Sequence, residues 1–299
     1  MTSADSLSGV LNVDKPLGMT SHDVVARVRR TLGIKRVGHA GTLDPLATGV
    51  LLVCVGTATR FSEFLMASSK TYVADVILGR ETTTDDAEGE ITVEASASHL
   101  DFASISAALP AFSGDILQVP PAYSAIKQGG RKLYEMARKG QAVAAAPRRV
   151  RIDAIRLLDW TPPIARLEVV CGPGTYIRSL ARDLGRALGP GGSLAALRRT
   201  ASGGFRAEDG LTDAGLSNPA ILRERLISLR QALADWPEVQ LDAKQLADIR
   251  MGRRLPADPP PAPDTLALAI APSGSVAALL RAAPDGWQPD KVLDASGQT

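Results

Sequence analysis

The sequence predicts an α+β protein, with a mixed or antiparallel central sheet flanked by helices and a small β-rich module at the C-terminal end. Segments rich in β-branched residues are interspersed with amphipathic segments, but the two types do not alternate regularly as in a βαβ protein. The length of 299 residues suits one or two domains. The character of the chain changes at Pro237, so we expect one domain over residues 1–236 and a second over residues 237–299.

The first predicted elements are a short strand and a capped helix. Leu11–Val13 has the composition of a strand start, and the turn Lys15–Gly18 (KPLG) ends it. Either Thr20 or Ser21 can cap the following helix, which Gly33 ends. Apolar residues recur every three or four positions in this helix and form its buried stripe: Val24, Val25, Val28 and Leu32.

A glycine-rich segment separates this helix from the next strands. Gly38–Gly49 (GHAGTLDPLATG) contains three glycines and one proline, which predicts a loop. The apolar run Val50–Val55 predicts a fully buried strand, and Tyr72–Leu78 predicts another. Thr82–Gly89 (TTTDDAEG), here called the acidic turn, follows the second of these strands.

The second half of the chain contains one helix with a clear pattern. We expect a short helix at Arg131–Lys139, strands at Val150–Leu158 and Leu167–Cys171, and an amphipathic helix at Tyr176–Leu188 that ends at Gly189. In that last helix three arginines recur every four residues and therefore share the side opposite the apolar face: Arg178, Arg182 and Arg186.

The C-terminal quarter is predicted to be helical first and then β-rich. Pro219–Trp236 has mainly helical character. After the boundary, Leu241–Leu255 begins as a helix, Pro256–Pro263 is rich in proline, and Leu266–Leu280 alternates like two short strands.

Composition narrows the class of protein. The longest apolar run is far shorter than the roughly 20 residues of a membrane helix, and the first ten residues lack the pattern of a secretion signal. Cys54 and Cys171 lie in neither a CxxC motif nor a Cys/His cluster. We therefore expect a cytoplasmic protein without a metal site, a disulfide framework or a membrane segment.

The net charge of +2 conceals a strong segregation of charge. Arg27–Arg36 contains five basic residues and no acid, and Arg178–Arg206 contains six arginines and one acid. Lys127–Arg156 contains nine basic residues and two acids, whereas Glu81–Asp115 contains eight acids and no lysine or arginine. If the three basic segments converge, they form a surface suited to a phosphate backbone; ordinary solvated surfaces are the alternative.

The glycine-rich loop is the segment best suited to chemistry. Its single acid, Asp44, precedes a proline that restricts its backbone, and the surrounding glycines permit close approach of a ligand. The residues alone allow two interpretations, a nucleophile or base, or an aspartate that organises a turn. The sequence contains no P-loop, zinc-protease or nucleophile-elbow motif.

The loop sequence GHAGTLDPLATG closely resembles the active-site loop of the TruB family of tRNA pseudouridine-55 synthases. Six further segments resemble family motifs in the same order, and together they span roughly residues 10–205. They are Asn12–Ser21 (NVDKPLGMTS), Lys70–Tyr72 (KTY), the acidic turn, Pro120–Lys127 (PPAYSAIK), Gly174–Arg178 (GTYIR) and Leu197–Thr200 (LRRT).

This resemblance implies the pseudouridine-synthase fold and an isomerase that uses no cofactor. The expected reaction breaks the N1–C1′ bond of one uridine in the T-arm loop of tRNA, turns the base and rejoins it through C5. Because the target atoms lie inside a folded loop, the nucleotide must be flipped into a pocket. The carboxylate then attacks either the pyrimidine ring or the ribose C1′, and the sequence leaves both routes open.

The resemblance also assigns roles to individual residues. Asp44 matches the nucleophile, and Arg178 matches the arginine that pairs with it and lowers its pKa. Tyr72 matches the tyrosine that stacks on the base and helps to remove the C5 proton. Leu197 and Tyr176 match residues that line the base pocket.

Further residues are expected to contact RNA rather than take part in the chemistry. His39 matches a histidine that inserts into the T-loop. We expect phosphate contacts from four basic residues: Lys15, Arg36, Lys127 and Arg149. Residues 237–299 resemble the PUA-type RNA-binding module of the family, although their low basic content also allows a purely stabilising role. The expected partner is the T-arm of tRNA; we expect a monomer without an obligate protein partner.

The sequence leaves two alternatives to an isomerase. A non-catalytic RNA-binding protein or tRNA-folding chaperone would use the same basic surface, but would not need the pair of Asp44 and Arg178. A retaining glycosidase would need a second carboxylate about 5 Å from the first, and no neighbouring motif provides one.

Overall fold

The computed structural model describes residues 7–123, 127–128, 131–132, 136 and 145–293. The strands in these ranges are β1 (Gly9–Lys15), β2 (Val37–Ala40), β3 (Ala47–Val55), β4 (Lys70–Leu78), β5 (Arg80–Thr82), β6 (Ile91–Glu94), β7 (Gly114–Gln118), β8 (Lys127–Gln128), β9 (Arg131–Lys132), β10 (Arg148–Thr161), β11 (Ile164–Cys171), β12 (Gly192–Ser202), β13 (Phe205–Arg206), β14 (Glu238–Gln240), β15 (Leu255–Pro256), β16 (Leu266–Ile270), β17 (Val276–Ala283) and β18 (Gly286–Val292). The α-helices are α1 (Ser21–Leu32), α2 (Ser62–Ala67), α3 (Phe102–Ala108), α4 (Ile177–Leu188), α5 (Pro219–Glu224), α6 (Leu229–Ala232) and α7 (Ala243–Arg250).

The main sheet is mixed, as the sequence predicts. Its strand order is β1-β3-β12-β4-β11-β10-β7, with β2 paired to β3 and β13 paired to β12. Neighbouring strands are antiparallel except for β3 and β12, which run parallel where Leu197 lies opposite Ala47. The start of β3 is therefore held against the middle of β12, directly after the loop that contains Asp44.

Strand β3 is buried on both faces of the sheet. Leu51, Val53 and Val55 belong to a core that includes α1 and α4, whereas Leu52 and Cys54 belong to a core on the opposite face. Burial on both faces requires apolar residues at successive positions, which explains the unbroken run that predicts this strand.

The helix α1 begins and ends at the residues that the sequence indicates. Thr20 caps its start, and the Thr20 hydroxyl and the Asp23 carboxylate bond each other's backbone N–H in a capping box. Gly33 ends the helix in the left-handed conformation, at φ 68°. This geometry fixes the start of α1 beside the glycine-rich loop.

The C-terminal segment forms a second sheet, as predicted. Its order is β14-β16-β17-β18-β15, and β14 is the first of its strands in the chain. Leu268, Ile270 and Val276 of this sheet pack in one hydrophobic core with Val50 and Leu52 of β3. The second sheet is thus joined to the first by shared apolar packing.

Several elements differ from the sequence-based expectation. The loop predicted over Gly38–Gly49 is shorter, because β2 and β3 extend into both of its ends. The central strand β12 was not predicted as an element, since its small and charged residues obscure the alternation of a strand. Pro219–Trp236 contains only two short helices. Of the helix predicted at Arg131–Lys139, the structure describes Arg131 and Lys132, which form strand β9, and Met136; the rest lies outside the described residues.

No helix in the described part of the chain is long and apolar enough to cross a membrane.

Candidate active site

A cleft of about 740 Å³ opens where β3 and β12 run side by side. Four parts of the chain meet there: the start of α1, the glycine-rich loop, the acidic turn and the start of α4. Six of the predicted site residues line it: Asp44, Arg178, Tyr72, His39, Tyr176 and Leu197.

Two buried side chains fix the loop that contains Asp44. The Ser21 hydroxyl accepts a hydrogen bond from the Leu43 N–H at 2.8 Å and donates one to the Leu43 carbonyl at 3.0 Å. The Lys15 ammonium donates to the carbonyls of Met19 and Pro45, at 2.5 and 3.5 Å. The residues on both sides of Asp44 are therefore anchored to the start of α1 and the end of β1.

Arg178 lies beside Asp44 and is almost completely buried. Its Nε is 3.0 Å from Asp44 Oδ2, an ion pair whose N–H is not aligned for a hydrogen bond. The remaining guanidinium nitrogens donate to the carbonyls of Thr84 and Tyr123 and to the Asp86 carboxylate. Five side-chain donors in a rigid plane make this multiple binding possible.

Asp86 of the acidic turn holds Arg178 from the other side. Its Oδ2 lies 3.3 Å from Arg178 Nη1, and its Oδ1 accepts hydrogen bonds from the Thr84 hydroxyl and the Glu88 N–H. The Asp86 side chain is only 5% exposed. Because every contact of these oxygens is with a donor, Asp86 acts as an ionised acceptor that orients the arginine.

Two more ion pairs join α4 to the acidic turn and to Glu81, the residue before it. Asp85 bonds Arg182 at 2.7 Å, and Glu81 forms two bonds with Arg186, at 2.8 and 2.7 Å. The three arginines do share one side of the helix, but that side is turned toward carboxylates. The third basic segment therefore contributes little free charge for a phosphate backbone, contrary to the expectation from its composition.

The electrostatics of Asp44 also differ from the expectation. Burial in the cleft raises the pKa of Asp44, Arg178 opposes this rise, and the charge of Asp86 adds to it. The net direction is upward, whereas the arginine alone was expected to lower the pKa. The side chain is still 37% exposed, so a ligand in the cleft can reach the carboxylate.

Tyr72 forms part of the cleft wall and is 8% exposed. It stands directly opposite Arg199 in the pairing of β4 and β12, so both side chains point to the same face of the sheet. Burial raises the pKa of the Tyr72 hydroxyl, and the positive charge of Arg199 opposes that rise.

The other predicted pocket residues lie around this centre. His39 is half-buried on β2, and burial together with the charge of Arg199 lowers its pKa, which favours the neutral ring. Gln118 holds the Tyr176 backbone through a bond to each of its N–H and carbonyl groups. Leu197 is 9% exposed on β12. Arg148 stacks over the Tyr176 ring at 4.7 Å from its centroid.

The residues expected to contact phosphate are dispersed. Lys15 is completely buried and bonded to backbone carbonyls, so it supports the loop and does not present its charge to a ligand, contrary to the expectation. Arg36 and Arg149 are exposed and lie outside the cleft lining. The side chain of Lys127 lies outside the described residues.

Sequence reasoning missed four residues that shape the site. Asp86 was grouped with its neighbours in the acidic turn, and Gln118 stands in a segment without a reactive pattern. Ser21 was considered only as a helix cap. Arg199 was included only in the matched segment LRRT, and nothing local shows that of two adjacent arginines this one is buried and Arg198 is paired with Asp14.

A larger cleft of about 970 Å³ lies between the segment that contains α5 and α6 and the second sheet. Arg230 and Glu238 in its lining neutralise each other through two bonds of 2.7 Å. It lacks the convergence of reactive side chains found in the first cleft. In the described residues, no group of three or more potential metal ligands is present.

Comparison with protein families identifies the chain. The model described as "TruB family pseudouridylate synthase (N terminal domain)" matches residues 29–177. Two further models, for C-terminal domains of tRNA pseudouridylate synthase B and tRNA pseudouridine synthase II, match residues 178–234 and 236–294. A protein of Dehalococcoides mccartyi named tRNA pseudouridine synthase B is 43% identical over 291 residues, which cover 96% of this chain and 97% of the relative.

The chain belongs to the TruB family of pseudouridylate synthases. A further relative with the same name, from Gloeobacter violaceus, is 50% identical over 84% of this chain and 88% of its own length. The expected enzyme class and the PUA-like C-terminal module are thereby confirmed.

Solved structures agree with this TruB assignment. A chain in a structure described as an H/ACA RNP bound to a substrate RNA containing 2′-deoxyuridine has a TM-score of 0.73 and 25% identity. The match covers 96% of this chain and 86% of that chain. A Cbf5-Nop10-Gar1 complex gives a TM-score of 0.73 at 26% identity, over 97% of this chain and 85% of that chain.

Proposed function

We propose that this protein converts the uridine at position 55, in the T-arm loop of tRNA, to pseudouridine. Asp44 is the nucleophile, the nucleotide is flipped into the cleft, and no cofactor takes part. One observation supports the proposal most directly: the Asp44 carboxylate is partly exposed, and its Oδ2 lies 3.0 Å from Nε of the buried Arg178. The names of the relatives support tRNA as the substrate.

The dimensions of the cleft suit a flipped nucleotide. A volume of about 740 Å³ accommodates a base with its ribose, and both apolar and polar side chains line it. Leu197 and Tyr72 provide surfaces for the faces of a pyrimidine. The neutral ring of His39 at the rim suits stacking in the space that a flipped base leaves.

The chemistry begins with an ionised Asp44 and a uridine aligned against it. Attack on the pyrimidine ring or on the ribose C1′ leads to cleavage of the N1–C1′ bond, and the electron pair of that bond stays with the base. The base turns, its C5 joins C1′, and the bond that Asp44 made to the ring or to C1′ breaks, which restores the free carboxylate. The C5 proton leaves to Tyr72 and N1 takes up a proton, so the reaction is an isomerisation.

Arg178 has two tasks in this scheme. Its charge opposes the rise in the Asp44 pKa that burial causes, and so keeps a larger fraction of the carboxylate ionised. Its bonds to Asp86 and to the Thr84 and Tyr123 carbonyls fix the direction from which it meets Asp44. A nucleophile held in this way loses little entropy on the way to the transition state.

Two rival functions make different use of the same residues. A tRNA-folding chaperone gains nothing from a buried carboxylate–guanidinium pair in a base-sized cleft. For a glycosidase, the cleft does contain further carboxylates, Asp86 and Glu88, contrary to the argument from sequence. The two oxygens of Asp86 are nevertheless engaged as acceptors by Arg178, the Thr84 hydroxyl and the Glu88 N–H, which does not suit a general acid. A tRNA substrate also fits the expected cytoplasmic location.

Release of tritium from C5 of uridine in a tRNA transcript tests the proposal. We expect wild type to release tritium, and Asp44→Asn and Asp44→Ala to lose at least about 10⁴-fold in rate while binding tRNA within a few-fold of wild type. Asp75→Asn is a matched control, because Asp75 also pairs with an arginine, Arg166, at 2.7 Å but lies outside the cleft. Tight binding by wild type without tritium release would favour the chaperone instead.

A further inference from the structure

Among the described residues, Arg199 is the largest side chain that is essentially fully buried, with 2% of its surface exposed. Its Nε donates to the Val50 carbonyl at 2.6 Å, and its Nη2 donates to the Gly41 carbonyl at 3.1 Å. Among the described residues, no carboxylate forms an ion pair with it. A buried cation without a counter-ion is costly, and neutral donors would satisfy two carbonyls equally well.

Arg199 lies next to three parts of the cleft: strand β4 with Tyr72, the glycine-rich loop, and the segment of β12 that contains Leu197. In β12 it lies two residues beyond Leu197, and its Cα is paired with Tyr72 in β4 and with Gly49 in β3. Gly41, whose carbonyl it bonds, stands between His39 and Asp44 in the chain. The guanidinium therefore lies behind the wall of the cleft that the base would contact.

The neighbouring buried cations differ from Arg199 in one respect. Burial lowers the pKa of Lys15 and of Lys70 to about 8 in each case, and the charge of Arg199 contributes to both shifts. Both lysines can therefore lose their charge near neutral pH, whereas an arginine in a protein keeps its proton. Arg199 is the permanent positive charge of this group.

We propose that Arg199 is a positioning residue for the isomerisation, which acts through Tyr72 and through the loop that contains Asp44. Its hydrogen bonds hold Gly41 near the start of that loop and Val50 just after its end. Its charge opposes the rise in the Tyr72 pKa that burial causes, and so increases the fraction of phenolate, the form that accepts the C5 proton. In that step the proton moves from C5 to the phenolate oxygen, the C5–H electron pair forms the C5=C6 double bond, and the electron pair of the C6=N1 bond moves to N1, which takes up a proton. The inference rests on the proposed function.

Two substitutions separate the charge of Arg199 from its hydrogen bonds. Arg199→Lys and Arg199→Gln can each donate to one of the two carbonyls, but only the lysine carries a positive charge, provided that the pH stays below the value of about 8 at which the neighbouring buried lysines titrate. We expect Arg199→Gln to lower kcat about 100-fold with KM changed by less than about 3-fold, and Arg199→Lys to remain within about 10-fold of wild type. A purely structural role predicts equal losses in both variants.

An isotope effect on the proton step gives the decisive measurement. Rates on tRNA transcripts made with ordinary uridine and with 5-deuterated uridine are compared for wild type and both variants. We expect the isotope effect to increase in Arg199→Gln, since C5 proton removal becomes slower, and to stay near the wild-type value in Arg199→Lys. Equal isotope effects in all three proteins would overturn the proposal.

Controls separate this test from protein stability and from the function itself. Lys70→Met removes another buried, carbonyl-bound cation, and we expect it to lower the melting temperature while leaving the isotope effect unchanged. If Arg199→Gln does not fold, the pH profile of Arg199→Lys decides: a loss of rate at lower alkaline pH than in wild type supports the proposal, because a buried lysine loses its charge there, and an unchanged profile contradicts it. A wild-type protein without tritium release would refute the proposed function before Arg199 is tested.

Discussion

Two buried arginines, Arg178 in the lining of the cleft and Arg199 two residues beyond the lining residue Leu197, are held in different ways. Arg178 is bound by two carboxylates, those of Asp44 and Asp86. Arg199 is bound by two backbone carbonyls. The first charge is neutralised within the site and serves mainly to orient groups. The second is uncompensated among the described residues, and its field extends to the side chains around it.

Substitution of Arg178 should have the larger effect of the two. Arg178→Met leaves Asp44 and Asp86 buried without their shared cation, and we expect the free energy of unfolding to fall by about 3–5 kcal/mol. Turnover should fall about 10³-fold, because the nucleophile loses both charge support and alignment. Urea unfolding and the tritium assay measure the two quantities. A loss of stability without a loss of turnover would show that Arg178 is structural.

Substitution of Asp86 tests whether Arg178 must be oriented as well as present. Asp86→Asn should lower kcat about 10- to 100-fold with little change in KM, because Arg178 remains but is less firmly aligned. Asp85→Asn is the matched control: the neighbouring aspartate pairs with Arg182 instead, and we expect only a few-fold change. Equal losses in single-turnover assays of both variants would contradict a specific role for Asp86.

The pH dependence of turnover distinguishes the two arginines again. In the proposed mechanism Asp44 must be ionised, and its pKa is raised above the ordinary value of about 3.9. The rate should therefore begin to fall on acidification at a pH above the one expected for an ordinary aspartate. The charge of Arg178 opposes the rise in the Asp44 pKa, so removal of Arg178 should move this acid limb to a still higher pH. Arg199→Lys should leave it in place, since the charges that act on Asp44 are those of Arg178, Asp86 and Lys15.

The smallest effects are expected at the protein surface. Arg36 and Arg149 are exposed, so Arg36→Gln and Arg149→Gln should each weaken tRNA binding modestly and reduce the slope of log affinity against log salt by about 1. Lys15→Met should leave that slope unchanged, because its ammonium group is buried, and should lower stability instead. Titrations at several salt concentrations check both statements. A changed slope in Lys15→Met would show that its charge reaches the RNA.

Local patterns in the sequence predicted local features well. The cap at Thr20, the left-handed Gly33, the buried run of β3 and the helix α4 all follow from residues within one turn or one strand of each other. The contact between Asp44 and Arg178 was predicted only from the resemblance to the family, because no local pattern in the sequence indicates it.

Features that depend on long-range pairing were not predictable. The burial of Arg199 follows from its place opposite both Tyr72 and Gly49, in strands distant along the chain. Lys15 is adjacent to a turn, and its sequence context therefore predicts a surface residue. In the structure the glycine-rich loop covers it. The acidic turn and the arginines of α4 were assigned separate roles, because their spacing in sequence does not show that they neutralise each other.

The apolar packing shared by β3 and the second sheet bears on how the chain could be shortened. A protein cut after residue 236 would expose Val50 and Leu52, which now pack with Leu268 and Ile270. Strand β3 also follows the loop that contains Asp44, the proposed nucleophile, so loosening this strand should lower the activity although the cut lies elsewhere in the chain. The C-terminal module therefore completes the apolar core beneath β3, and the two sheets should melt in a single cooperative transition.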